Sequence, residues 1–150
     1  MHFATRRNLL YVGELIPLKN VNVTIEALHR LGRDDLSLTV VGDGPQRTAL
    51  EELVRSYRME ERVRFLGRVP RVEVLEHMAR ADCFVMANSP ETFGLVYVAA
   101  MGCGCYVIGS KGEGIDGVIV DGKNGALVEP GSVDVLAKAM SWTACCIDSR

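Results

Sequence analysis

A lysine placed just ahead of a helix can meet an anion, and Lys19 stands in such a place. The stretch Gly13-Glu14-Leu15-Ile16-Pro17-Leu18-Lys19-Asn20 follows a short apolar run and leads into residues with helical spacing. The lysine would then reach a phosphate that the helix dipole already favours; a plainly solvated lysine is the alternative. The segment Ser89-Pro90-Glu91-Thr92-Phe93-Gly94-Leu95-Val96 says more. A carboxylate, a glycine that lets backbone approach closely and a helix N-terminus with free N–H groups together suit an anion beside a hydroxyl-rich group. A capped, buried helix would explain the glycine but not an exposed glutamate. Two glycine-rich stretches carry less. Gly42-Asp43-Gly44-Pro45 lacks the lysine of a phosphate-binding loop and reads as the turn that opens a helix. Gly112-Glu113-Gly114-Ile115-Asp116-Gly117 spells the dinucleotide fingerprint, yet it comes late and runs into the extended-looking Val118-Ile119-Val120. That motif should open a helix in the first strand–helix unit, so an oxidoreductase binding NAD is disfavoured.

These residues need elements to position them. Asn8 to Val12 reads as a strand, and Val21, Ile25, Leu28 and Leu31 recur at helical spacing after it. Leu36, Leu38 and Val40 alternate before the second glycine-rich turn; Leu50, Leu53, Val54 and Tyr57 then mark a helix, with Pro45 suited to its first turn. Val63 to Leu66 is a third strand, and Arg71 to Arg80 a third helix expected to carry Val72, Leu75 and Ala79 inward. Cys83 to Ala87 is continuously apolar, which predicts a strand covered on both faces. Leu95 to Met101 reads as a short apolar helix, Tyr106 to Ile108, Val118 to Val120 and Ala126 to Val128 as strands, and a last helix runs from an N-capping Ser132 to Met140. The tail from Ser141 to Arg150 loses periodicity after Trp142. Strands alternating with helices predict an α/β fold: a single Rossmann-like domain, a parallel sheet with helices on both faces and right-handed crossovers. Ligands of such sheets bind at the carboxyl ends of the strands.

Composition narrows the function classes. In 150 residues, 48% apolar content, 24% charged content and 15 glycines describe a folded domain with many turns, and exclude disorder or a coiled coil. A net charge of −2 supplies no positive field for nucleic acid or an anionic bilayer. The longest apolar run, Leu95 to Met101, is too short to cross a membrane. Arg6-Arg7 ahead of Leu9-Leu10-Tyr11-Val12 imitates a signal peptide only briefly, because Gly13-Glu14 cuts the run short. Five cysteines, none spaced as a zinc or redox pair, predict a reducing cytoplasm, with Cys83 and Cys105 in the core.

Taken in order, Tyr11-Val12-Gly13 leading to Lys19-Asn20-Val21, Val40-Val41-Gly42-Asp43-Gly44-Pro45, Val63-Arg64-Phe65-Leu66-Gly67, Ser89 to Val96, and Asn124-Gly125-Ala126-Leu127-Val128-Glu129-Pro130 resemble the group 1 (GT4) retaining glycosyltransferases over about residues 8–140. That family has GT-B architecture, two Rossmann-like domains with the active site between them, and the chain is similar to the C-terminal, nucleotide-sugar-binding half. The resemblance implies a donor linked to UDP or GDP, transfer of a hexose to a saccharide or lipid-linked acceptor, and no obligate metal or other cofactor. It implies that Lys19 contacts the donor diphosphate and that Glu91, first glutamate of an E-x7-E motif, holds the donor sugar. The backbone of Phe93, Gly94, Leu95 and Val96 would meet sugar and phosphate, and the turn from Gly67 to Pro70 would lie near the base. The implied partners are the nucleotide sugar and an N-terminal acceptor domain; an unpaired half would expose its interdomain face and self-associate. Two positions depart from the family pattern. Glu14 stands where an arginine usually partners the lysine, and Ala99 stands where the second glutamate grips the ribose. Hydrogen bonds to charged groups contribute about 1.5–3 kcal/mol each, so these losses favour a second reading: a non-catalytic nucleotide-binding or interaction module, a degenerate half-enzyme.

Overall fold

The computed structural model describes residues 7–32, 35–85, 102, 106–110, 125–129 and 131–148. Its centre is a six-stranded sheet in which each named strand pairs in parallel with its neighbours: β1 (Arg7–Val12), β2 (Leu36–Val41), β3 (Val63–Gly67), β4 (Cys83–Val85), β5 (Tyr106–Ser110) and β6 (Gly125–Val128). The spatial order is β3-β2-β1-β4-β5-β6. The chain therefore steps outward in one direction from β1 to β3, then returns across the sheet to β4 and steps outward in the other. Right-handed crossovers put α1 (Val21–Leu31) and α2 (Arg47–Ser56) on one face and α3 (Arg71–Arg80) on the other. The last helix, α4 (Val133–Asp148), packs on α1, where Arg30 pairs with Asp134.

Burial explains the composition of each strand. Leu9, Leu10 and Tyr11 of β1, all of β4, and Tyr106, Val107 and Ile108 of β5 are buried, so consecutive residues on both faces are apolar, as expected for a doubly covered sheet. At the edge, β3 buries Val63 but exposes Arg64. The half-buried Asn8 is accommodated by pairing: its backbone N–H donates to Asp82 Oδ2 at 2.8 Å, and the Thr39 hydroxyl donates to its side-chain oxygen at 3.2 Å. Cys83 is buried in the core, as predicted.

Three expectations need correction. The inward face of α3 is not Val72, Leu75 and Ala79: Val72 is 68% and Leu75 39% exposed, while Met78 is buried and Val74 packs on the core. Both sets recur at helical spacing, so periodicity alone could not choose between them; the face turned to the sheet is that of Val74 and Met78. The last helix does not stop at Met140 but continues to Asp148, because residues 141–148 contain neither glycine nor proline to end it. Helix α2 begins at Arg47, with Pro45 in the turn before it rather than inside the first helical turn. Ser132 caps α4 as expected, its hydroxyl accepting from the Val135 amide at 3.3 Å. The helix expected at Leu95 to Met101, the strand at Val118 to Val120, Cys105 and the stretch Gly112 to Gly117 lie outside the described residues.

Candidate functional site

The reversal of strand order between β1 and β4 marks where a ligand of this fold binds, outside the carboxyl ends of the strands. The first loop leaves β1 there, and its path is fixed by the residues that follow the strand. The buried Tyr11 hydroxyl donates to the Glu14 carbonyl at 2.8 Å, and Leu15, fully buried, anchors the loop in the core. Leu15 donates its amide to the Asp43 carbonyl at 3.0 Å and accepts from Gln46 at 3.1 Å, so the first loop is joined to the second. Glycines make that junction possible. A Cβ on Gly42 would stand 1.8 Å from the Gly13 carbonyl oxygen, and one on Gly44 2.6 Å from that of Leu15. The Gly42–Pro45 segment is thus a backbone-packing turn that opens α2, which agrees with its reading from sequence.

Beyond Leu15, Pro17–Lys19 forms a single 3-10 turn, closed when the Asn20 amide donates to the Pro17 carbonyl at 3.2 Å. Asn20 takes a left-handed conformation, φ 53°, which asparagine tolerates better than most residues, and it is also the N-cap residue of α1. The structure therefore places Lys19, half-buried, immediately before the N-terminus of α1 at the carboxyl edge of the sheet. An anion there would meet helix amides and a lysine together. Glu91, Phe93, Gly94, Leu95, Val96 and Ala99 lie outside the described residues. The strand that leads to them, β4, lies beside β1 and runs parallel to it toward the same edge.

A depression of about 330 Å³ opens at this edge, floored by Val12, Val41, Val69 and Val74, with Glu14, Asp43 and Arg68 among its lining. Glu14 is exposed, so a carboxylate faces the space beside the first loop. Gly67 begins the next turn, with φ +73° and its carbonyl accepting from the Gly42 amide at 2.8 Å. Sequence reasoning did not single out Asp43, Arg47 and Arg68. The Asp43 carboxylate accepts the Gly44 amide at 2.8 Å and the Arg47 guanidinium at 3.2 Å. The Gly44 amide, followed by Arg47 and the nearby charge of Arg68, holds its carboxyl below the usual carboxylate value against a partial cost of desolvation. The only sequence signal was a carboxylate and an arginine four apart across a helix start.

A family model described as glycosyl transferases group 1 matches residues 2–144. The chain belongs to this family. Among its group 1 relatives, N-acetyl-alpha-D-glucosaminyl L-malate synthase of Bacillus anthracis is 34% identical over 130 residues, covering 86% of this chain and 34% of the relative. Glycogen synthase of Mycobacterium tuberculosis is 35% identical over 146 residues, covering 92% of this chain and 35% of the relative. The chain thus spans about a third of the length of these curated relatives. Among solved structures, the C-terminal domain of a glycosyl transferase group 1 protein, LpcC of Francisella tularensis, superposes with a TM-score of 0.86 at 27% identity, over 94% of this chain and 76% of that one. Anabaena HepE in complex with UDP and glucose gives 0.84 at 29% identity, over 97% and 39%. The fold is the C-terminal, Rossmann-like half of a group 1 GT-B glycosyltransferase. Family membership displaces the oxidoreductase reading. Among the described residues no helix is long and apolar enough to cross a membrane, and no cluster of metal-ligating side chains occurs.

Proposed function

We propose that residues 1–150 form one donor-binding domain of a cytoplasmic retaining glycosyltransferase that moves a hexose from a UDP- or GDP-linked sugar to a saccharide or lipid-linked acceptor. One observation carries this reading: the two segments singled out for chemistry follow β1 and β4, adjacent strands at the point where the sheet order reverses. The diphosphate lies at the N-terminus of α1, where Lys19 and the helix amides meet it. Glu91 holds the sugar, the backbone of Phe93, Gly94, Leu95 and Val96 lines sugar and phosphate, and the turn from Gly67 to Pro70 adjoins the base. That HepE is solved with UDP and glucose supports a nucleotide-sugar donor.

In such a transfer the bond from the anomeric carbon to the diphosphate oxygen breaks, the leaving diphosphate takes the electron pair, and the acceptor hydroxyl oxygen bonds to the anomeric carbon as its proton passes to the departing diphosphate or to water. In this reading Lys19 and the α1 amides stabilise that charge as it grows, and in many enzymes such charge stabilisation contributes more to the rate than any other effect. No metal is needed for that role. Glu14 favours the second reading, a non-catalytic nucleotide-binding module, because it adds a carboxylate to the loop that carries Lys19.

Titration of the chain with UDP and with GDP, followed by amide shifts, tests the nucleotide site that both readings share. Binding should perturb residues 13–20, 67–70 and 91–96. Lys19→Ala should weaken diphosphate binding about ten- to hundred-fold, the equivalent of ~1.5–3 kcal/mol for a charged hydrogen bond. Unchanged affinity in that variant would remove Lys19 from the site, and no binding of either nucleotide by the wild type would remove the donor-site reading altogether.

A further inference from the structure

The Gly67–Pro70 turn is gripped from two sides by groups outside the motifs. On one side the Gly42 amide holds the Gly67 carbonyl at 2.8 Å. On the other, Arg47, the first residue of α2, lays its guanidinium against Gly67, so close that a Cβ there would stand 3.1 Å from Nη1. The guanidinium is itself oriented: Nη1 lies 3.2 Å from Asp43 Oδ2, and Nε 3.6 Å from Glu51 Oε2. Asp43 is oriented in turn by the Gly44 amide at 2.8 Å. About a third of the Arg47 side chain is exposed, and ion pairs at that exposure contribute little to overall stability. Their effect is local. They fix a left-handed glycine, and with it the turn that carries Arg68 and Val69 to the rim of the apolar depression.

Resting on the reading of that turn as the base site, we propose that Arg47 is a positioning residue for the nucleotide, a planar clamp that keeps the Gly67–Pro70 turn in the shape that receives the base. Ordering one loose residue on binding costs roughly a factor of ten in affinity, so a clamp that orders the turn beforehand returns that factor. Planarity matters in this role. A lysine at position 47 could keep the attraction to Asp43, but with one nitrogen it could not also stand beside Gly67 and keep the second link to Glu51.

The test compares wild type, Arg47→Ala and Arg47→Lys in the 150-residue chain, titrated with UDP, GDP and inorganic pyrophosphate and examined without ligand by amide hydrogen exchange. Both variants should lose about ten-fold in affinity for the nucleotides and keep pyrophosphate binding within two-fold. Exchange should quicken at the Gly42 amide, whose bond ends on Gly67, and stay unchanged at the β1 amides. Equal nucleotide affinity in all three proteins would overturn the proposal. So would parallel losses for nucleotide and pyrophosphate, or full rescue by lysine, since either makes Arg47 a charge acting on the diphosphate. If the wild type binds pyrophosphate as tightly as UDP and GDP, the base-site reading itself fails and the proposal with it, even though faster exchange at Gly42 would still reveal the clamp. Should Arg47→Ala not fold, Arg47→Lys carries every comparison.

Discussion

A methyl group on Gly42 would have to occupy the Gly13 carbonyl oxygen, and the residue's φ of +133° is closed to side chains in any case. Gly42→Ala should therefore destabilise the chain by about 3–5 kcal/mol, combining backbone strain with overpacking against a main chain that cannot yield. A thermal melt lowered by less than a few degrees would mean that the two loops separate easily. Asp43 makes a different argument, through protons. Its carboxylate is favoured in the folded chain first by the Gly44 amide and then by Arg47 and Arg68, so its pKa is lower folded than unfolded. A lowered carboxyl pKa adds stability above the unfolded value, and that stability fades as pH falls through the folded one. The melting difference between wild type and Asp43→Asn should then be constant above about pH 5 and shrink below the ordinary value of 3.8. A difference that persists unchanged at pH 2.5 would show that the asparagine acts through shape rather than charge.

Helix α4 shows what a single cap does at the scale of an element. The Ser132 hydroxyl accepts from the Val135 amide, one of the helix-start donors without an intrahelical partner, and the helix it begins packs on α1. Ser132→Ala should cost about 1 kcal/mol and lower the melting temperature by roughly 2–4 °C. No change would assign the start of α4 to its packing alone. That cap was readable in the sequence, and so were the strands: β1 and β4 are apolar on consecutive residues, as a sheet covered on both faces requires, and Leu36, Leu38 and Val40 alternate along β2. What could not be read depended on partners distant in the chain. Two apolar stripes on α3 satisfy the same periodicity, and the sheet beneath decides between Met78 and Val72. The end of α4 was obscured because residues 141–148 neither break a helix nor repeat at its period. Near the candidate site, the position of Lys19 between a strand and a helix was legible. Arg47 was not, since its contact with Gly67 exists only once the loops after β2 and β3 have been brought together.

At the scale of the whole molecule, the described site elements share one edge of one sheet. The loops after β1, β2 and β3 are bonded to one another there, and the depression beside them is open to solvent rather than closed by a second wall. The group 1 relatives are about three times as long as the stretch this chain spans, and the resemblance to them implies an active site between two domains. Binding and transfer are therefore separable on this chain. On the proposed reading one edge holds a nucleotide sugar through Lys19, the α1 amides and the turn from Gly67 to Pro70, while nothing on that edge among the described residues orients an acceptor hydroxyl toward the anomeric carbon. Orientation of two reactants supplies much of the rate in group transfer, and its loss cannot be recovered by raising the concentration of acceptor. The purified 150-residue chain should bind UDP or GDP and yet transfer no labelled sugar from UDP-glucose or GDP-mannose to a glucan or to a phosphatidylinositol acceptor. A trace of free sugar would leave the prediction standing, because water needs no acceptor site. Labelled acceptor formed above the rate without protein would sink it, and would mean that one sheet edge holds donor and acceptor together.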